Sequence, residues 1–161
     1  MLENGWTFEN YPGSTKDDLF NFKYLYEVYL KADSNYSGRV TVPVLWDKTS
    51  NTIVSNESAE IIRMFNSEFN ELTNNAKDFY PSNQRNEIDN INKYIYTAIN
   101  NGVYKTGIAT DQIVYEEEVK KLFEGLDYVE SLLEKNKFLL GDEILECDLR
   151  LIPTLLRFDP V

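Results

Sequence analysis

The sequence predicts an α/β part over residues 1–75 followed by an all-helical part over residues 76–161. Three observations carry that division. Two β-branched runs, residues 40–46 and 52–55, flank the turn-rich Asp47-Lys48-Thr49-Ser50-Asn51, and together they read as a β-hairpin running straight into a helix. Beyond Ser82 the apolar residues recur only at helical spacing. Between these regions, residues 70–82 are polar, include Pro81 and read as an interdomain linker.

Taken in order, Gly5-Trp6-Thr7-Phe8 and the turn cluster Tyr11-Pro12-Gly13-Ser14 predict loop, with Asp17 and Asp18 as acidic cap candidates. Phe22, Leu25, Tyr26 and Tyr29 predict a helix over residues 19–32, which the run from Asp33 to Gly38 ends. In the hairpin, Pro43 cannot donate to a strand ladder, and a cis Val42–Pro43 bond reconciles it with a continuing strand. Ser55-Asn56-Glu57-Ser58 supplies helix-start chemistry for a segment carrying Ile61, Ile62, Phe65 and Phe69. In the second part, Ile88, Ile91, Ile95 and Ile99 form one stripe, with Asn100-Asn101-Gly102 as its C-cap. Val119, Leu122, Phe123, Leu126, Val129 and Leu133 form the next, on a helix over residues 111–135. A third helix begins near Glu146 and carries Leu149, Leu151, Ile152, Leu155 and Leu156, with Pro153 near its first turns.

Composition narrows the chemistry. A chain of 161 residues with 42% hydrophobic and 14% aromatic residues can bury a real core. Its net charge of −11 would repel nucleic acid and anionic membrane, so neither is expected as a partner. No run approaches a membrane span, and the first residues lack a basic and apolar leader. One cysteine agrees with a reducing compartment, so the expected location is cytoplasmic. With no histidine there is no Ser-His-Asp triad, no Cys-His pair and no histidine metal site, and no metal is expected.

A strand with an inner proline, a hairpin and then Glu-Ser opening a helix is similar to the glutathione-binding half of a thioredoxin-like glutathione transferase domain. The words GWTF, VTVPVLWD, TIVSNES with EIIRMFN, NNGVYKTG and LLRFDPV together resemble the glutathionyl-hydroquinone reductases, the Xi-class glutathione transferases, over nearly the whole chain. The resemblance implies a glutathione-transferase-like fold, a partial thioredoxin-like domain followed by a partial all-helical domain. Both parts look cut. The family's Cys-Pro-Trp-Ala segment with the nucleophilic cysteine belongs before residue 1, and more helices belong after residue 161. The strand at residues 40–46 would then be an exposed apolar edge.

Site residues follow from the resemblance, each beside a plainer reading. Glu57 and Ser58 match the pair that holds the γ-glutamyl end of glutathione: hydroxyl and helix N–H groups take the carboxylate, and the acidic side chain takes the ammonium. Read alone, they are a helix cap with an acidic first-turn residue. Val42 and Pro43 would offer backbone groups to the cysteinyl part of the tripeptide, or be an edge-strand proline. Trp6 and Arg39 match glutathione-contacting positions; alone they are a hydrophobic plug and a solvated cation. Tyr104, one of 11 tyrosines, matches a residue lining the hydroquinone pocket. Cys147 lies where the family has a small residue and reads as buried rather than reactive. Asp148 matches the acidic end of an N-capping box whose hydroxyl partner is replaced by Leu145.

The reaction implied uses glutathione as co-substrate. A cysteine thiolate attacks the sulfur of a glutathionyl-hydroquinone, the hydroquinone leaves by cleavage of its carbon–sulfur bond, and a second glutathione resolves the mixed disulfide to release oxidised glutathione. Without that cysteine no catalytic residue is assigned, and the chain by itself is expected to be inactive. The alternatives are a non-catalytic glutathione- or protein-binding module and an acidic interaction domain. Expected partners are glutathione and quinol conjugates, with either a homodimer or a complementing segment as protein partner.

Overall fold

The computed structural model describes residues 5–9, 12–74 and 77–158. Tyr11 of the expected turn cluster and residues 159–161 of the last motif lie outside them. Two compact units are separable, residues 1–65 and 66–161.

In the first unit, helix α1 spans Leu25–Ala32, so it starts later than the apolar spacing predicts. The reason is local hydrogen bonding that competes with a helix. The Asp17 carboxylate accepts from the amides of Leu19, Phe20 and Phe22 at 3.0, 3.3 and 3.1 Å, and Asn21 adopts φ 56°. The Glu27 carboxylate then accepts from the Lys23 and Tyr24 amides at 2.9 and 2.8 Å, which satisfies two donors at the helix start. Leu25, Val28 and Tyr29 form the buried face, packed by Phe22, Val44, Trp46 and Ile53.

The hairpin is present, with a shorter first strand than expected. β1 is Leu45–Asp47 and β2 is Thr52–Ser55, antiparallel, with Trp46 opposite Ile53, Asp47 opposite Thr52 and an irregularity between Leu45 and Trp46. Asp47 closes the turn by accepting from the Thr49 amide at 2.8 Å and the Ser50 amide at 3.3 Å, and Asn51 takes the left-handed conformation at φ 55°. Residues 40–44 are not strand. Pro43 has no N–H, and the Thr41 carbonyl is taken by a side chain instead of a ladder partner. The apolar edge is therefore three residues long rather than seven-residue strand, with Val42 half exposed.

Helix α2, Ser58–Ser67, follows β2 directly. A single turn of helix, α3 at Asn70–Thr73, occupies the start of the stretch expected to be linker, and Asn74 ends it at φ 51°.

The second unit is all-helical: α4 Arg85–Ile95, a π-helical turn Tyr96–Asn100, α5 Gly102–Gly107, α6 Gln112–Leu133 and α7 Glu146–Phe158. Its core joins Ile88, Ile91, Ile95 and Ile99 to Leu122, Val129 and Leu151. Gly102 is not a C-cap. Asn101 stays right-handed at φ −88°, the chain continues into α5, and Gly102 is buried against Leu122. Asp111 caps α6, accepting from Ile113 and Val114 at 2.9 and 3.2 Å. The π-turn carries Asn100, whose amide donates to the Arg150 carbonyl at 3.2 Å and to Thr154 Oγ1 at 2.6 Å, next to the helix-interior Pro153. Buried Glu146 accepts from Asn92 at 2.9 Å and pairs with Arg150 at 3.4 Å, joining α4 to α7.

Candidate functional site

The first unit brings the proline segment to the start of α2 through one buried phenol. Tyr29, only 2% exposed, donates its hydroxyl to the Thr41 carbonyl at 2.8 Å. The same oxygen accepts from the Asn56 side-chain amide at 3.1 Å, which also donates to Thr41 Oγ1 at 3.2 Å. Val42 and Pro43, joined by a cis bond, follow Thr41; Glu57 and Ser58 follow Asn56. These four site residues are thus held as neighbours by Tyr29, Thr41 and Asn56.

The helix start itself is arranged by Ser55 rather than by Ser58. Ser55 Oγ accepts from the Glu57 amide at 3.1 Å and donates to Glu60 at 2.7 Å. The Glu57 carbonyl accepts from Glu60 and Ile61, both at 3.0 Å. The amides of Ser58 and Ala59 carry no hydrogen bond among the described residues, so they and the Ser58 hydroxyl are donors at the positive end of a helix. Glu57 is exposed beside them. The pair offers an anion site and a cation site side by side, the requirement for an α-amino acid end group.

Trp6 and Arg39 are attached separately. The Trp6 carbonyl accepts from the Leu25 amide at 2.9 Å, and the residue is 52% exposed. The Arg39 carbonyl accepts from the Tyr36 hydroxyl at 2.7 Å, and the Arg39 side chain is exposed.

Tyr104 belongs to the second unit. It lies on α5 and is 66% exposed at the wall of a cleft of about 810 Å³ formed by α5, α6 and α7. Apolar side chains such as Val103, Ile108, Phe123 and Phe158 line it, with Tyr115 and Arg157 among its polar groups. Thr106 also lines the cleft, and its hydroxyl is buried without a partner among the described residues.

Cys147 is fully buried, and burial with the adjacent Asp148 charge pushes its thiol up to about 12. A thiolate there is disfavoured. Asp148 keeps its half of the cap, accepting from the Leu145 amide at 2.9 Å.

Sequence reasoning missed Tyr29, Thr41 and Asn56 as positioning residues. Tyr29 was legible only as one apolar position on a helical stripe, and the destination of a hydroxyl is not written in periodicity.

A hairpin with a proline segment tied to a helix start, followed by a helical unit, is part of a glutathione-transferase-like fold. Residues 112–161 match the family model for the glutathione S-transferase C-terminal domain. Among curated proteins the chain is similar to glutathionyl-hydroquinone reductase YqjG of Escherichia coli, 56% identical over 162 residues covering 100% of this chain and 49% of the relative. It is similar in structure to the glutathione-bound form of YqjG, with TM-score 0.97 and coverage of 100% of this chain and 53% of that one. Glutathione transferase Xi 1 from Trametes versicolor matches with TM-score 0.93 and 47% identity, covering 98% of this chain and 56% of that one. The chain belongs to the glutathionyl-hydroquinone reductase family, the Xi-class glutathione transferases. It spans about half the length of the curated relatives it matches.

Proposed function

We propose that this chain carries the glutathione cradle and part of the quinol pocket of a glutathionyl-hydroquinone reductase. The observation that supports it is the Tyr29–Thr41–Asn56 knot, which sets the Val42–Pro43 backbone beside the Ser58 amide and the Glu57 carboxylate. In this reading residues 1–75 hold glutathione. Ser58 and the α2 amides take the γ-glutamyl carboxylate, Glu57 takes the ammonium, and the backbone around Val42 and Pro43 pairs with the cysteinyl residue. Arg39 meets the glycyl carboxylate and Trp6 covers one face of the tripeptide. Residues 76–161 supply the helical pocket, where the Tyr104 phenol hydrogen-bonds a quinol oxygen.

The chemistry needs a thiolate beside the glutathione sulfur. The single thiol within these residues, Cys147, is buried and disfavours ionisation, so these residues bind and orient the conjugate while the attacking sulfur comes from outside them. Glutathione is a co-substrate here, and quinol conjugates are the second ligand class. A reducing, cytoplasmic setting fits a chain with one buried cysteine.

A thermal shift with millimolar glutathione tests the cradle, run beside a variant carrying Glu57→Ala and Ser58→Ala. Glutathione at 100 times its dissociation constant adds roughly 2.7 kcal/mol of stability. A shift in the parent chain alone is the expected result. A cooperative transition that glutathione does not move ends the reading.

A further inference from the structure

We infer that the cleft along α5, α6 and α7 prefers aromatic ligands with an acidic ring substituent, and that Arg157 pairs with that group. The inference rests on reading this cleft as the quinol pocket and names the substrate class that such a pocket favours. Val103, Ile108 and Phe123 give the walls the apolar character that an aromatic ring needs. Tyr104 and Tyr115 bring two phenols, neither hydrogen-bonded among the described residues, as partners for ring hydroxyls.

Charge then separates one class of ring from another. Among the described residues Arg157 is the single cation that lines the cleft, and no carboxylate does. The neighbouring cations are already engaged: Lys105 and Lys121 pair with Glu118, Lys120 with Glu124, and Arg150 with Glu146. Arg157 makes no ion pair among the described residues. On a chain of net charge −11, most of the surface repels an anion, so a guanidinium beside an apolar wall is a distinctive place for one. Its planar fork suits a carboxylate or phenolate and is far more selective than a point charge. Arg157 also sits in the last turn of α7, where the helix dipole favours any cation. That structural role makes no demand on the ligand, which is what separates the two by experiment.

The measurement is calorimetric titration of the full chain at pH 7 with 2,5-dihydroxybenzoate and with hydroquinone, repeated on Arg157→Gln and Arg157→Lys. One charge-assisted pair makes the carboxylate bind roughly tenfold more tightly than hydroquinone in the parent. Arg157→Gln removes that preference, so that the two ligands bind with similar affinity, while Arg157→Lys keeps part of it. Equal affinities in the parent, or a preference that survives Arg157→Gln, overturn the inference and leave the quinol pocket standing. If neither ligand binds, the inference and the quinol-pocket reading fall together.

Discussion

Asp148 and Leu139 are joined across the turn before α7 by a 2.9 Å hydrogen bond, with the Leu139 amide donating to one carboxylate oxygen while the other takes the Leu145 amide. All three residues are buried. Asp148 therefore both caps α7 and anchors the loop that leads into it. Asp148→Asn presents N–H groups to one of two buried amides, and the expected loss is about 1–3 kcal/mol, the cost of an unsatisfied buried donor. Urea denaturation of both proteins checks this; an unchanged midpoint would show that the anchor contributes nothing.

The missing half of the same cap gives a prediction of opposite logic. A serine at position 145 would restore the reciprocal hydroxyl, worth about 0.5–2 kcal/mol. But Leu145 is 4% exposed and part of the helical core. Removing a buried leucine costs about 2–5 kcal/mol, so burial outweighs the cap. Leu145→Ser is expected to lower Tm despite completing a capping box, and a rise in Tm would refute that ranking.

Gly125 on α6 marks a close helix approach in the second unit. A Cβ there would stand 2.9 Å from Ala98 Cβ and 3.2 Å from Ile99 Cγ1, both on the π-turn. The neighbours are a methyl group tied to backbone and a buried side chain, so they yield little. Gly125→Ala is expected to destabilise by about 1–3 kcal/mol in spite of alanine's better helix propensity. Equilibrium unfolding decides: a stabilised variant would mean that the turn shifts at no cost.

Local patterns explain which features were legible beforehand. The hairpin was readable because its turn needs Asp47 and Asn51, and the helix start because Ser55 supplies a cap hydroxyl. The stripe Ile88, Ile91, Ile95 and Ile99 correctly gave one buried face, yet spacing cannot report that its last turn widens into a π-turn carrying Asn100. The start of α1 was misjudged because Asp17 diverts three amides, a competition that hydrophobic periodicity does not register. Glu57 and Ser58 could be picked by resemblance. The parts played by Tyr29 and Asn56 rest on contacts 27 positions apart, which no local window contains.

Cys147 makes stability depend on alkaline pH. Its thiol is raised from 9.0 to about 12 in the folded chain, chiefly by burial and then by Asp148. Between those values the unfolded chain has lost the proton and the native chain retains it, so the unfolded state gains and stability falls with rising pH. The slope from this one group is about 1.4 kcal/mol per pH unit. Cys147→Ala removes that component. Denaturation midpoints from pH 8 to pH 10 should converge between the two proteins as the pH rises, and a parallel decline would exclude the thiol as its source.

Tyr29→Phe tests the knot that supports the cradle. The change keeps the ring, its place in the core and its contact with Tyr36 at 4.8 Å, and deletes only the hydroxyl. The Thr41 carbonyl loses its donor and Asn56 loses one of two acceptors. A stability cost of about 0.5–1.5 kcal/mol follows from a single hydrogen bond. The larger consequence expected is for binding, because residues 41–43 and 56–58 are then held together by the Asn56–Thr41 Oγ1 bond without the phenol, and part of their ordering must be supplied by the ligand itself. Glutathione affinity, measured by titration on folded protein, should fall several-fold in Tyr29→Phe. Asn56→Ala removes the other side of the same knot and should act in the same direction, with the double variant less than additive because both changes break one network. Full affinity in both single variants would mean that the cradle keeps its shape without the phenol, and the positioning role of Tyr29 would be lost while Glu57 and Ser58 remained candidates.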